Sequence, residues 1–142
     1  MPGGDPARVF LDANVLLYSI STAPAEASKK ARALELLERR DCALSVQVLQ
    51  EFYVQATRVS RVDALPHDLA VGLIRAWRRF PVQETTLAVL DAALEIVARH
   101  RLAYRDACVV AAAQALGCER LYSEDMAHGA RVGALTIFNP FA

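Results

Sequence analysis

The sequence predicts an α/β protein, a three-layer α/β/α sandwich with a short, mostly parallel central sheet. Three observations carry this. Short apolar runs of strand length recur along the 142 residues, at "VFL", "CALSV", "RLY" and "LTIF". Between them lie helix-length segments whose apolar residues fall three and four apart. Strands that are apolar on both sides and alternate with helices need cover on both faces, as in a parallel sheet.

Val9–Leu11 reads as the first strand, followed by polar punctuation at Asp12 and Asn14 and a second apolar stretch. From about Pro24, "PAEASKKARALELLERR" is rich in helix formers, and Ala31, Leu34 and Leu37 give it an apolar stripe. "CALSV" suits a buried strand. A helix then starts at Ser45 or Gln47, with Leu49, Phe52, Ala56 and Val59 on one face. "RVDALPHD" is a break, and Pro66 and Asp68 suit the start of a helix carrying Leu69, Leu73 and Trp77 at four-residue spacing. "RFPVQETT" is a connection holding at most a short strand. Leu87, Leu90, Leu94 and Val97 mark another helix, ending near His100. "YRDACVVAAAQALG" makes a further, almost wholly apolar helix stopped by Gly117, and "RLYSED" and "LTIFNPF" supply the last strands. No repeat, low-complexity tract or linker divides the chain. A single domain over residues 1–142 is expected, with a flexible leader over about 1–7.

The composition narrows the class. Hydrophobic residues make up 54% of the chain, enough for a substantial core. No apolar run approaches the roughly 20 residues that span a membrane. "MPGGDPAR" lacks the apolar segment of a secretory signal, so a cytoplasmic protein is expected. Cys42, Cys108 and Cys118 have no C-x-x-C spacing and read as free thiols in a reducing compartment. Net charge is zero, so the molecule as a whole does not attract nucleic acid. Arginine carries nearly all the positive charge, Lys29 and Lys30 being the only lysines.

The informative feature is where the acids fall. Asp12 follows the first strand, Glu51 lies early in the helix after the second, Asp106 opens the apolar helix, and Asp125 follows "LYS". In an open parallel sheet the strand C-termini meet at the crevice where strand order reverses. Four carboxylates gathered there repel, each close pair by about 4 kcal/mol at 4 Å and an effective dielectric near 20. A cation must share the site. Oxygen ligands without His or Cys select a hard ion, Mg²⁺ or Mn²⁺, which can bridge phosphate oxygens and activate water. Each acid also has an ordinary structural explanation. Asp12 and Asp106 could cap helices, Glu51 could sit solvated in a first turn, and "SED" could be a turn.

These residues carry a resemblance. "VFLDANVLLY", "LSVQVLQEFYVQATR", "YRDACVVAAA", "LYSEDM" and "NPF" together resemble the PIN-domain family, and within it the VapC-type toxins of toxin–antitoxin pairs. The match runs in order over nearly the whole chain. It places the family's acidic set on Asp12, Glu51, Asp106 and Asp125. It also implies an ordering role for Asn14 and a carboxylate- or water-holding role for Ser123. The resemblance implies a Mg²⁺- or Mn²⁺-dependent ribonuclease, a homodimer and a cognate antitoxin. Arg105 departs from the pattern: many relatives carry a bulky aromatic before the third acid. Glu124 is a candidate outer acid that strand alternation should point away from Asp125.

Arg75, Arg78 and Arg79 cluster on one helix as a solvated face or a track for an RNA backbone, with Arg105 a further candidate for phosphate contact. Asp91 falls off its helix's apolar stripe and reads as solvated. His67, His100 and His128 lack a partner at ligand spacing. Trp77 and Phe80 suit packing, and Tyr18 and Tyr53 suit either core or pocket. The apolar surfaces around Leu36, Leu37 and Val54 are candidates for a dimer contact or an antitoxin helix. Two rivals stand beside the nuclease. Phosphotransfer through an aspartyl intermediate wants a lysine near the phosphoryl group, and Lys29 and Lys30 sit on an expected solvated helix. A catalytically silent PIN-like module binding RNA or protein would keep the fold without the chemistry.

Overall fold

The computed structural model describes residues 7–142. Its strands are β1 (Val9–Leu11), β2 (Cys42–Ser45), β3 (Val82–Gln83), β4 (Arg120–Tyr122), β5 (Arg131–Val132) and β6 (Leu135–Phe138). Its helices are α1 (Ala13–Ser19), α2 (Ala27–Leu37), α3 (Val46–Ala56), α4 (His67–Trp77), α5 (Leu87–His100) and α6 (Tyr104–Ala115). The leader expected over about residues 1–7 lies outside the described residues except for Ala7, which packs on the core.

The strands form one sheet in the order β3-β2-β1-β4-β6-β5, parallel except where β5 meets β6. The chain steps outward from β1 to β3, then crosses to the other side of β1 for β4. Strand order therefore reverses between β1 and β4. Right-handed crossovers put α1 to α4 on one face and α5 with α6 on the other. The packing of α1 on α2 and α3, and of α5 on α6, follows that division. The result is the expected α/β/α sandwich.

Two elements go beyond the sequence expectation. "ANVLLYS" closes into α1 because the Asp12 carboxylate accepts the Ala13 N–H at 2.7 Å, while Val15 and Leu16 are fully buried. β5 turns into β6 through Gly133 at φ +61°, a left-handed value that glycine adopts without steric cost.

The buried faces of several helices are rotated from those expected. In α2 the core takes Ala33, Leu36 and Leu37, leaving Leu34 exposed, so Leu36 and Leu37 are not surface contacts. In α4 it takes Ala70 and Trp77 but leaves Leu69 out. In α5 it takes Val89, Ala93 and Ile96, whereas Leu87 and Leu94 face outward. Val59 lies past the end of α3, exposed. These helices carry apolar residues on more than one face, so spacing alone does not fix which stripe meets the sheet. In α6 every residue from Ala107 to Ala113 is buried, as a helix held between sheet and α5 requires.

Cys42, Cys108 and Cys118 are free and buried. Burial pushes the Cys42 thiol up to about 12 and the Cys118 thiol up to about 11. Neither forms thiolate at pH 8, so maleimide or iodoacetamide should label these two only after unfolding. Peptide mapping with and without denaturant checks this. No helix among the described residues is long and apolar enough to cross a membrane.

Candidate active site at the carboxyl edge of the sheet

The crevice where strand order reverses holds the acids. Asp12 is the first residue after β1 and Ser123 the first after β4, so the two parallel strands deliver them side by side. The Asp12 N–H donates to the Tyr122 carbonyl at 3.0 Å, and the Ser123 N–H to the Phe138 carbonyl at 2.9 Å. Both side chains are fully buried, and the Ser123 hydroxyl donates to Asp12 Oδ2 at 2.7 Å. Asp12 caps α1 and belongs to the acid cluster at once, so the ordinary and the chemical explanations of this residue coexist.

Glu51 comes from the middle of α3, whose start is fixed by the Ser45 hydroxyl accepting the Val48 N–H at 3.2 Å. Asp106 sits in the first turn of α6, where the helix dipole favours negative charge. Asp125 follows β4 and accepts from Asn14 Nδ2 at 3.2 Å. The same Asn14 amide reaches the Ser123 hydroxyl at 3.4 Å, tying α1 to the segment after β4.

The centre of the cluster is Arg105. Its Nη2 donates to Asp12 Oδ1 and to Glu51 Oε2, each at 2.6 Å. Its Nη1 donates to Asp12 Oδ2 at 3.1 Å and to Asp106 Oδ1 at 3.0 Å, and its Nε to Glu51 Oε1 at 2.8 Å. Burial works against the guanidinium charge. The hydrogen bonds to Glu51 and Asp12 outweigh it and hold Arg105 protonated above the ordinary arginine range. Three carboxylates against one guanidinium leave the group negative. Asp125 makes no bond to Arg105 and joins through Asn14 and Ser123.

Sequence reasoning missed Gln47. One turn before Glu51, its amide donates to the Arg105 carbonyl at 3.2 Å and reaches Glu51 Oε1 at 3.5 Å. The four-residue spacing to Glu51 was the available signal. Glu124 turns away from the cluster. It accepts from Tyr18 Oη and Lys29 Nζ, each at 2.5 Å. Burial alone would raise its carboxyl, but the bonds to Lys29 and Tyr18 outweigh that and hold it below the ordinary glutamate range. Lys29 is thus engaged, not simply solvated. Arg75, Arg78 and Arg79 lie at the end of α4 and bond none of the four acids. Arg79 is held by the carbonyls of Ala76 and Leu37.

Two concavities flank the cluster. One of about 250 Å³ is lined by Asn14, Tyr18, Glu26, Arg61 and Asp125, among others. Another of about 350 Å³ has both Asp106 and Asp125 in its lining. The donors suit a hard divalent ion in kind, being carboxylate oxygens. The Asn14 amide oxygen is buried without a hydrogen-bond partner, an acceptor that an ion's hydration shell would satisfy. The spacing, however, is that of a guanidinium. Among the described residues no three acid, His or Cys side chains stand close enough to form a ready-made metal cage.

An acid-lined crevice at the switch point of a three-layer sandwich places this chain among α/β proteins with a candidate cation-binding site at the carboxyl edge of the sheet. The PIN domain model matches residues 9–131, and the chain belongs to the PIN domain family. Solved structures of similar fold include VapC20 of Mycobacterium tuberculosis, a sarcin-ricin loop cleaving toxin. It is 20% identical with TM-score 0.65, over 82% of this chain and 89% of that one. A toxin–antitoxin complex from Klebsiella pneumoniae is 18% identical with TM-score 0.69, over 93% and 97%. VapBC2 from Rickettsia felis, bound to a promoter DNA fragment, is 16% identical with TM-score 0.62, over 91% and 96%. A search of curated proteins gave no match.

Proposed function

We propose that the protein is a divalent-metal-dependent endoribonuclease, the toxin half of a toxin–antitoxin pair. The observation that supports this is the meeting of Asp12, Glu51 and Asp106 around Arg105 at the carboxyl edge of the sheet, with Asp125 tied to the same edge through Asn14. These four would hold Mg²⁺ or Mn²⁺, which when bound supplies an activated water and neutralises phosphate charge. The remaining work falls to the chain itself. Ser123 and the Ala13 N–H fix the Asp12 carboxylate, so its orientation costs nothing at the moment of reaction. Asn14 does the same for Asp125. Gln47 steadies Glu51 and the start of α6. Exposed Arg75 and Arg78 offer contacts to an RNA backbone away from the acids.

Partners follow the same reading. A groove of about 590 Å³ along α3 and α4, lined by Val46, Leu49, Tyr53, Val54 and Ile74, suits the apolar face of an antitoxin helix. α3 also carries Glu51, so an occupant would lie beside the acids. A homodimer would cover Leu87 and Leu94 on α5. The buried free thiols suit a cytoplasmic setting. One observation favours a second reading, a silent RNA- or protein-binding module: Arg105 already neutralises part of the cluster.

Incubating antitoxin-free protein with a mixed RNA pool in Mg²⁺, Mn²⁺ or EDTA separates the two. Cutting in either metal and none in EDTA is expected. Folded protein that binds RNA or a partner but cuts in neither metal would favour the module.

A further inference from the structure

We propose that Arg105 is a built-in counter-cation that competes with the divalent ion for Asp12, Glu51 and Asp106, so that ion binding requires the guanidinium to leave. The inference rests on the functional reading above and adds a device specific to this chain. All three of its guanidinium nitrogens are engaged, and five hydrogen bonds of 2.6–3.1 Å fix the group among the acids. The same carboxylate oxygens would have to serve an ion. A guanidinium is a planar fork, whereas a divalent ion is a point that draws its ligands inward. Both cannot hold Asp12 Oδ1 and Oδ2 together. The side chain is 36% exposed, so an outward path exists on the solvent side. Asp12, at 0%, has none and must keep a cationic partner. Arg105 supplies that partner while no ion is bound and opposes the ion's arrival.

Calorimetric titration of the full chain with Mn²⁺, beside Arg105→Gln, tests the competition. Removing a positive charge from contact with the ligand oxygens should tighten Mn²⁺ binding by at least about tenfold. Arg105→Gln should also melt lower than wild type in EDTA, the gap narrowing in saturating Mn²⁺. Equal or weaker binding by the variant would overturn the competition while leaving the metal site standing. Binding by neither protein would overturn both the competition and the metal-dependent reading. A second measurement needs no variant. The Arg105 Nε–H, bonded to Glu51, should be protected from exchange in EDTA and lose protection in Mg²⁺ by nitrogen-15 NMR. Protection that persists at saturating Mg²⁺ would overturn the proposal.

Discussion

Asp12→Asn should lower RNA cleavage by about 10²–10³-fold without unfolding the protein, the scale of removing one preorganised electrostatic group. The substitution is nearly isosteric, and the contacts of Asp12 show why it separates chemistry from folding. The amide oxygen can still accept the Ala13 N–H and cap α1. The Ser123 hydroxyl, which now donates to Oδ2, can rotate and accept from the new NH₂ group. What disappears is the negative charge, and the new NH₂ faces Arg105 Nη1 as donor against donor. Glu51 and Asp106 still hold the guanidinium, so it is not stranded. Cleavage rates on a single labelled RNA, with circular dichroism and melting curves as controls, check both halves. Cleavage within about threefold of wild type in the folded variant would remove Asp12 from the chemistry.

Phe52→Ala should be the most damaging core change. Phe52 is fully buried on α3 and meets Trp77 of α4 edge to face, ring centroids 4.7 Å apart. Truncation leaves a cavity costing about 3–5 kcal/mol, a large share of the roughly 5–15 kcal/mol that holds a domain folded. For a chain of this size that corresponds to a fall in Tm on the order of 10 °C. The same loss loosens α3, and with it Glu51 one position earlier. Thermal melts of Phe52→Ala beside Phe52→Leu give the size of the cavity effect, the leucine variant being expected to lose less than half as much.

The fold class was legible because strand-length apolar runs and helix-length periodic segments alternate along the chain, a pattern that no other layer architecture satisfies as simply. The position of the acids was legible for a related reason. In a parallel sheet, a residue just after a strand lies at one edge whatever the details, so Asp12 and Asp125 were expected at the same edge. The pairing of β1 with β4 that sets Asp12 beside Ser123 is not fixed by chain order. Helix rotation was not legible. Leu87 and Leu94 and the buried Val89, Ala93 and Ile96 both form plausible stripes on α5, and only packing against α6 chooses between them. The partners of long side chains were equally hidden. Arg105 directly precedes Asp106, but nothing local says that it reaches back to Asp12, 93 residues earlier. Lys29 likewise meets Glu124 across 95 residues.

The most direct test of the account is the chemistry of the cut ends. Cleavage of a defined RNA in ¹⁸O-labelled water with Mn²⁺, read by mass spectrometry, reports which oxygen attacks phosphorus. Hydrolysis at an acid-held ion predicts 3′-hydroxyl and 5′-phosphate ends, with one ¹⁸O in each new phosphate. Ends carrying 2′,3′-cyclic phosphate, formed equally in EDTA, would contradict it.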